Sequence, residues 1–321
     1  MSILLPNYKE WTFKAPTDIW TGNADGDSGR LITTGLLGSL RWWFEVLVRG
    51  LGGSVCDPSD RERRCPDPEI KDANEAGHHC LVCELFGCTG WARKFRFDVL
   101  TEDGEVRMNR ITRNTTFKIR LTKLRPIRQQ EWALLDLTMC LISGYGAVGG
   151  KIVYKPSDEP DRQNLLHHKD FGLIQLLEEK TAVFGPELEQ YVRDRKWRSV
   201  PEDDLSWASL SNFWSVQGRY LARQDARHST FNKVLGRMES KDKAKLDPTD
   251  RIFEWLAGKQ RISKKVFSFK NPSRTFGFVN PALINFNQML EQIKQVWPDL
   301  KEEEFLKGDE ILATLLSKEG D

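Results

Sequence analysis

Apolar residues near the start of the chain recur with the two periods that distinguish strands from helices. Trp11 and Phe13 alternate with polar neighbours, which predicts a strand. The apolar positions within Gly38–Arg49 recur at helical spacing, and Gly50 is a typical residue to end such a helix. Residues 51–79 are polar and rich in Asp, Pro and Arg, so we expect an inserted surface loop there.

The same pattern continues as far as residue 155. Apolar residues alternate over 95–99 and again over 117–121, which predicts two strands. Residues 129–142 carry a helical apolar face, and KIVYK at 151–155 predicts a further strand. The resulting order is β-α-β-β-α-β, the ferredoxin-like unit, which RNA-recognition domains use with an open sheet as the platform.

The pattern in the second half is weaker. Short strands are predicted in KKVFSFKN (264–271) and RTFGFV (274–279), and helices are predicted over 165–182, 188–195, 281–296 and 302–316. We therefore expect a second α+β domain, and the sequence leaves its strand order open.

The composition excludes several classes of protein. The 321 residues are 39% hydrophobic and 29% charged, which suits a folded chain of about two ordinary domains. No basic segment followed by an apolar run is visible near the N-terminus, and charged residues interrupt the most apolar stretch. Six cysteines in a chain of this length fit a reducing compartment better than a disulfide scaffold. We expect a cytoplasmic protein without a membrane span.

Charge is distributed unevenly, although the net charge is only +2. Residues 89–155 hold 13 Lys and Arg against 6 Asp and Glu, and residues 251–280 hold 7 against 1. Residues 281–321 hold 4 against 9. Two basic segments and an acidic end predict polyanion-binding faces, and solvated surface charge is the alternative.

A glycine-rich loop follows the second predicted helix. Gly144, Gly146 and Gly149 match the dinucleotide fingerprint in spacing, but they end a helix and precede a strand, which is the wrong context. Lys151 is followed by Ile152 rather than Ser or Thr, so the loop is not a P-loop. The loop can still form an anion nest with Lys151 beside it, and a simple helix cap is the alternative.

Two features of the first predicted helix suggest ligand contact. Arg41 lies in the first turn, where a cation opposes the helix macrodipole, so a nearby phosphate would explain it. A structural salt bridge is the alternative. Trp42 and Trp43 cannot both face one core, so one of them is expected to stack on a ligand or to pack against a partner.

The cysteines suggest a metal site. Zinc requires four ligands, usually Cys or His, and Cys80-x-x-Cys83 has the required spacing. Cys65 and His79 complete our favoured ligand set, with Cys88 and His78 as further candidates. The alternative is that these thiols are small buried apolar groups. No strand-then-helix context supports a redox dithiol. No cofactor is required, and a structural zinc ion is the one that the sequence suggests.

Three segments together resemble a known family. They are GLLGSLRWWFEVLVRG (35–50), CLVCELFGCTGWARKFRF (80–97) and the glycine-rich loop, and they resemble the RAMP superfamily of CRISPR systems. More narrowly, SLRWWFE and CxxCELFGCTGWARKF closely resemble the family of first subunits of the type III-B (Cmr) RNA-silencing complex. The resemblance is specific over roughly residues 30–155 and loose elsewhere.

The resemblance implies a fold and a function. The fold class is α+β, with two tandem ferredoxin-like (RRM-like, RAMP) domains and insertions, which we delimit as residues 1–156 and 157–321. The function implied is that of a non-catalytic subunit near the 3′ end of the guide (CRISPR) RNA. Such a subunit contacts guide RNA or target single-stranded RNA and docks on other RAMP subunits, away from any membrane.

The RNA-binding residues that we predict come from the basic segments and from these motifs. They are Arg41, Trp42, Trp91, Arg93, Lys94, Gly146, Gly149, Gly150, Lys151, Lys265 and Arg274. RAMP glycine loops often carry more arginine than GYGAVGGK, which weakens the expectation for this loop. In RTFGFV, which approaches an RRM strand signature, Phe276 and Phe278 would stack on bases or form the core face of a hairpin.

Two other functions compete with RNA binding. A metal-independent endoribonuclease would need a general base such as His228 or His79, and neither lies in an identifiable site. A protein scaffold without RNA contact would use the acidic C-terminal helix as its docking element.

Overall fold

The computed structural model describes residues 7–22, 29–149, 156–163, 165–178, 185–200, 205–236, 251–258 and 262–317. The chain forms two compact units. The first comprises Met1–Gly150, Gly172–Ser211 and Leu312–Asp321, and the second comprises Lys151–Phe171 and Asn212–Ile311. The units therefore interleave along the chain, whereas the predicted domains are consecutive segments.

The first unit contains a four-stranded antiparallel sheet in the order β2-β3-β1-β4. This order, with helices after β1 and β3, is that of the ferredoxin-like unit. Its elements are β1 (Tyr8–Lys14), α1 (Thr33–Gly50), α2 (Leu81–Phe86), β2 (Phe95–Thr101), β3 (Thr116–Lys123), α3 (Gln129–Tyr145), β4 (Gln175–Leu176) and α4 (Gly185–Val192). The predicted strand at 151–155 lies outside the described residues.

The second unit repeats this arrangement. Its antiparallel sheet has the order β6-β7-β5-β8, which matches the first sheet position by position. Its elements are β5 (Phe213–Gln217), α5 (Thr230–Val234), α6 (Arg251–Ala257), β6 (Val266–Lys270), β7 (Ser273–Phe278), α7 (Phe286–Lys294) and β8 (Leu306–Lys307). The predicted class, α+β with two ferredoxin-like units, is confirmed. The last described helix is α8 (Gly308–Leu316).

The core of the first unit lies between one face of its sheet and the helices α1 and α3. Alternate residues of β1 are fully buried, among them Trp11, whose indole N–H donates to Asp136 of α3 at 2.8 Å. Trp43 of α1 is also fully buried and donates to the carbonyl of Ala147 at 2.8 Å. These two bonds satisfy the polar atoms of large buried side chains, as burial requires.

The prediction of a helix over 165–182 is wrong in the part that the structure describes. Leu166–His168 form a single 3-10 turn, and Gln175–Leu176 form β4. Between them Gly172 adopts a φ of +84°, and a Cβ atom there would collide with the Val148 carbonyl. The apolar pattern of this segment favours a helix. The segment is extended instead because it pairs with β1 and because its backbone lies close to Val148 at Gly172.

The other helix predictions in the second half are partly confirmed. α4 and α7 lie within or beside the predicted segments 188–195 and 281–296. A helix is predicted over residues 302–316. The structure has a 3-10 turn and then β8 at the start of this segment, and α8 begins at Gly308. A two-residue strand carries too little periodicity to be seen in the sequence.

Residues 51–79 contain no helix or strand, as the prediction of an inserted loop requires. Few of their side chains are buried; the buried ones are Leu51, Val55, Cys56, Cys65, His78 and His79. The insertion therefore has almost no apolar core of its own. Among the described helices of the chain, none has the length and apolar character to cross a bilayer.

Candidate metal centre and RNA-contact residues

Four buried cysteines converge beside the N-terminus of α2. The sulfur atoms of Cys56, Cys65, Cys80 and Cys83 all lie within 4.8 Å of one another. The Cys56 sulfur lies 3.6 Å from that of Cys83 and 3.9 Å from that of Cys80. Two ligands come from the insertion and two from the Cys-x-x-Cys turn that opens α2.

The arrangement suits a zinc ion. Zinc–thiolate bonds of about 2.3 Å in a tetrahedron place the sulfurs about 3.8 Å apart, close to the observed separations. Hydrogen bonds from the Cys56, Cys65 and Cys83 thiols lower the pKa of the Cys80 thiol, and the pKa of each of those three thiols is raised. The cluster is a donor set that could bind zinc.

The cluster differs from the predicted ligand set at one position. Cys65, Cys80 and Cys83 are in it, but the fourth member is Cys56 rather than His79. The His79 ring bonds instead to Glu84, with Nε2 at 2.6 Å from the carboxylate. Cys56 stands alone in a polar loop, so no spacing in the sequence marked it as a ligand. Cys88 is half-buried and lies outside the cluster.

Arg41 is committed to partners inside the first unit. Its guanidinium donates to Glu45 at 2.9 Å, to the Gly87 carbonyl at 3.0 Å and to the Cys83 sulfur at 3.3 Å. Burial alone would lower the pKa of Arg41, but the negative charge of Cys83 and Glu45 raises it. Burial raises the pKa of Glu45 to about 7, against the opposing effect of Arg41. The residue predicted to meet phosphate is thus a neighbour of the metal centre.

Lys94 is also used internally. It is buried, and its ammonium lies 2.5 Å from Glu84 and 2.8 Å from Glu131. Glu131 in turn accepts from the Tyr191 hydroxyl at 2.9 Å. Burial alone would raise the pKa of Glu84, and bonds from His79 and Lys94 lower it instead. We therefore do not retain Lys94 in the candidate RNA surface.

Trp91 and Arg93 lie beside this network. The Trp91 ring packs against His79, with ring centroids 4.6 Å apart, and the guanidinium of Arg125 lies 4.2 Å above the indole. Arg125 also donates to the Ala92 carbonyl. Arg93 is half-buried, and no hydrogen bond or ion pair ties its side chain within the described part of the chain. The GWARKF motif has two cations, Arg93 and Lys94. Because Lys94 is paired inside the unit, Arg93 is the one that could contact an external ligand.

The tryptophan pair and the glycine loop pack together. Trp42 is half-buried and contacts Trp43 edge-on at 4.9 Å. A Cβ atom on Gly146 would lie 2.5 Å from the Trp43 ring, and one on Gly149 would lie 2.7 Å from the Trp20 carbonyl. Both glycines are therefore required by the packing of the chain itself. Gly150 and Lys151 lie outside the described residues.

The candidates in the second unit are more enclosed than expected. Lys265 is buried, donates to Ser263 and lies 5.0 Å from the Trp255 ring, and burial lowers the pKa of its ammonium to about 8. Arg274 is half-buried and donates to Gln217 at 3.3 Å. Phe276 and Phe278 are fully buried. They therefore form the core face of the hairpin and are not exposed for stacking on bases.

Cations that the sequence analysis did not select lie on the other face of the first sheet. We call this the open face; it carries Glu10, Arg96, Asp98, Lys118 and Arg120. Arg120 bonds to Glu10 at 2.7 Å, Lys118 lies 3.3 Å from the same carboxylate, and Arg96 bonds to Asp98 at 2.7 Å. Because side chains alternate along a strand, the buried Phe95 and Phe97 already implied this face.

The connection between β2 and β3 adds exposed apolar groups to the same unit. Val106 and Met108 are 63% and 72% exposed, although both are apolar. Arg110 and Arg113 are exposed next to them. Exposed apolar side chains beside arginines offer both stacking surface and phosphate contacts to a nucleic acid.

Comparison with known proteins relates part of the chain to a family. Residues 12–154 match the family model of the RAMP superfamily. Over this segment the match agrees with the resemblance that the motifs predicted. No curated protein matches the chain.

Two solved structures resemble the chain at low identity. One is the apo form of Cmr1 from Pyrococcus furiosus, with a TM-score of 0.42, 10% identity, and coverage of 90% of this chain and 96% of that chain. The other is the Csm3–Csm4 subcomplex of the type III-A CRISPR-Cas interference complex. Its TM-score is 0.28 with 15% identity, covering 53% of this chain and 74% of that chain.

The glycine loop yields a stability prediction with an internal control. Gly146→Ala should destabilise the protein by about 1–3 kcal/mol, because the new methyl group meets the Trp43 ring. Gly144→Ala should be neutral or stabilising, because nothing lies within 4 Å of its Cβ position and alanine favours a helix. Urea denaturation midpoints measure both variants. Equal midpoints would refute the packing explanation for Gly146.

Lys265 yields a pH-dependent prediction. In the folded protein the pKa of Lys265 is lowered to about 8. Above pH 8 the Lys265 amine therefore binds more protons in the unfolded chain than in the folded one, so its contribution to the free energy of unfolding rises with pH. Lys265→Met should raise the free energy of unfolding by about 1–3 kcal/mol at pH 7, and the gain should shrink as pH approaches the unfolded pKa of about 10.4. Denaturation series at pH 7 and pH 10 test this. A variant less stable than the wild type at both pH values would contradict it.

Proposed function

We propose that this protein is a non-catalytic RNA-binding subunit of a CRISPR type III-B ribonucleoprotein. It contacts guide or target RNA near the 3′ end of the guide and docks on other RAMP subunits. One observation carries the proposal. Residues 12–154, which match the RAMP family model, also contain the cations that the open face and the β2–β3 connection expose. The resemblance of SLRWWFE and CxxCELFGCTGWARKF to first subunits of the Cmr complex narrows the proposal to type III-B.

The open face supports contact with a phosphate backbone. Arg96, Lys118 and Arg120 stand there with Glu10 and Asp98, and the Glu178 carboxylate accepts from Thr12 on the same face. The Arg96 side chain is 60% exposed despite its bond to Asp98. An exposed ion pair of this kind is worth about 1 kcal/mol or less, so a phosphate can replace the carboxylate at small cost. Such contacts position RNA without reading its bases.

The β2–β3 connection supports contact with unpaired bases. Met108 and Val106 expose apolar area that the fold does not bury. Arg110 and Arg113 follow them in the same connection and are also exposed, with Arg110 lying 3.9 Å from Asp18. Single-stranded RNA offers base faces to apolar and aromatic groups and phosphates to arginine. RNA lying along the hairpin would cover the apolar groups and pair the cations at once.

The proposed cofactor is a single structural zinc ion at the cysteine cluster, and it takes no part in any reaction. All four candidate ligands are protein thiols, so the ion would keep no open coordination position for a substrate. Six free thiols agree with a reducing cytoplasm as the working compartment.

RNA binding can be tested by its salt dependence. Arg93→Ala and Arg96→Ala should each weaken binding to unrelated single-stranded RNA sequences to a similar extent. Removal of one phosphate interaction should lower the log–log salt slope by about 0.7, because fewer counterions are released on binding. Fluorescence anisotropy of a labelled RNA over a salt series gives both quantities.

Lys301→Ala provides the matched control, since it also removes one exposed cation but lies in the acidic segment. It should leave affinity and slope unchanged. Arg93→Ala and Arg96→Ala could instead leave RNA affinity and salt slope unchanged, as in the control, and prevent assembly with other RAMP subunits. Arg93 and Arg96 would then belong to a protein-docking face. The scaffold function would then replace RNA binding.

Absence of catalysis can be tested at an exposed histidine. His228 Nδ1 lies 2.7 Å from Asp225, and the His228 side chain is 64% exposed, an arrangement that a general base for RNA cleavage would need. We expect His228→Ala to leave RNA cleavage by a reconstituted effector complex unchanged. Loss of cleavage with assembly intact would favour the endoribonuclease. Gel analysis of labelled RNA measures the outcome.

A further inference from the structure

We propose that the cysteine cluster is a mononuclear zinc tetrathiolate, with Cys56, Cys65, Cys80 and Cys83 as ligands and with Arg41 and Arg198 as its outer-sphere cations. This inference deepens the proposed zinc site and does not depend on RNA binding. It also gives Arg41 a structural role in place of phosphate contact.

The sulfur separations select one kind of centre. At 3.6 Å and 3.9 Å, the sulfur pairs Cys56–Cys83 and Cys56–Cys80 are far beyond a disulfide bond of about 2.05 Å. A cluster of several irons would hold the ligating sulfurs farther apart than the 4.8 Å within which all four lie. One tetrahedral ion with bonds of about 2.3 Å fits the spacing, and zinc is the usual occupant of a closed site made of four cysteines.

Arg41 contacts the cluster from helix α1. Its side chain is only 19% exposed, and each of its three nitrogens has a partner. One nitrogen donates to the Cys83 sulfur, one to the Gly87 carbonyl just after α2, and one to Glu45. The guanidinium thus fixes both ends of α2 relative to α1, and it could reach a phosphate only by breaking these bonds.

Arg198 contacts the cluster from a distant part of the chain. Its side chain is 11% exposed, and one terminal nitrogen lies 3.9 Å from the Cys65 sulfur. The same nitrogen donates to the carbonyls of Arg63 and Arg64 at 3.0 Å and 2.9 Å, immediately before that ligand. The Arg198 side chain therefore orients the segment that delivers Cys65.

The charge of a zinc tetrathiolate favours cations next to its sulfurs. Four thiolates around one Zn²⁺ carry a net charge of −2, and burial of that charge is unfavourable without nearby cations. Arg41 and Arg198 supply two positive charges in direct contact with ligand sulfurs, and the Cys80 backbone N–H adds a donor to Cys65 at 3.3 Å. Each guanidinium also donates to a carboxylate, Arg41 to Glu45 and Arg198 to Asp67, and these bonds hold the two arginines against the sulfurs.

The insertion explains why the metal is needed. Residues 51–79 have almost no buried apolar side chains, and two of the buried ones are ligands. Metal binding then supplies folding free energy that an apolar core supplies elsewhere, as in other small zinc-bound segments. The metal ties the insertion to α2, and Arg198 ties it to the segment after α4.

The ligand set is tested on the full chain, first without any substitution that risks unfolding it. The purified protein should contain about one equivalent of zinc, and cobalt(II) exchanged into it should give the strong d–d and sulfur-to-cobalt bands of four thiolates. Cys56→Ser should weaken these bands, whereas Cys88→Ser, a thiol next to but outside the cluster, should leave them unchanged. Absence of metal would overturn the zinc site itself. Metal with a three-thiolate spectrum in the wild type would overturn the ligand set alone.

The outer-sphere role is tested separately by chelator competition. Arg41→Met should weaken zinc binding by about 10–100-fold, the usual effect of removing such a partner, with the four-thiolate cobalt spectrum retained. Arg41→Lys should recover part of the affinity, because it restores the charge but not the three-way geometry. Arg195→Met, which removes an exposed arginine of the same unit, should leave zinc affinity unchanged. Unchanged zinc affinity in Arg41→Met would overturn the role of Arg41.

Discussion

The ammonium of Lys94 lies between the carboxylates of Glu84 and Glu131, at 2.5 Å and 2.8 Å, in a largely buried part of the first unit. A buried ion pair that loses one partner leaves an unpaired charge, which typically costs about 3–5 kcal/mol. Glu84 belongs to α2, Glu131 to α3, and Lys94 directly precedes β2. The positions of all three elements therefore depend on this one cation.

The candidate metal centre is built on the same framework. Cys80 and Cys83 occupy the turn that opens α2, and Glu84 follows them directly. The two cations that hold α2, Lys94 through Glu84 and Arg41 from α1, therefore also hold two candidate zinc ligands. A single motif, CxxCELFGCTGWARK, carries two of the four candidate ligands, Glu84 and Lys94 of the buried ion network, and the tryptophan that packs beside it. Its residue types are explained by the interior of the unit before any RNA is considered.

Positive charge serves two purposes in this protein. Arg41, Lys94 and Lys265 use their charge inside the fold, on sulfur, carboxylate and hydroxyl partners. Arg96 and the arginines of the β2–β3 connection keep theirs at the surface. A count of charges along the sequence treats the two groups alike. The proposed RNA contact therefore depends on the cations that the fold leaves at the surface.

Periodicity in the sequence was sufficient for β1, β2, β3, α1 and α3 of the first unit, because long buried faces of helices and strands leave a repeating apolar pattern. The alternation of Phe95 and Phe97 and the helical faces of α1 and α3 needed no tertiary information. The two-residue strands β4 and β8 left no such pattern, and only pairing with β1 and β5 made them strands.

The same division holds at the candidate metal centre. The Cys-x-x-Cys spacing predicted two metal ligands, because two ligands on one turn must be close in sequence. Cys56 as the fourth member of the cluster, His79 as a partner of Glu84, and Arg41 as a neighbour of sulfur were decided by the tertiary structure. Cys56 and Arg41 meet partners that lie far along the chain, and nothing local in the sequence distinguishes His79 as a carboxylate partner from His79 as a ligand.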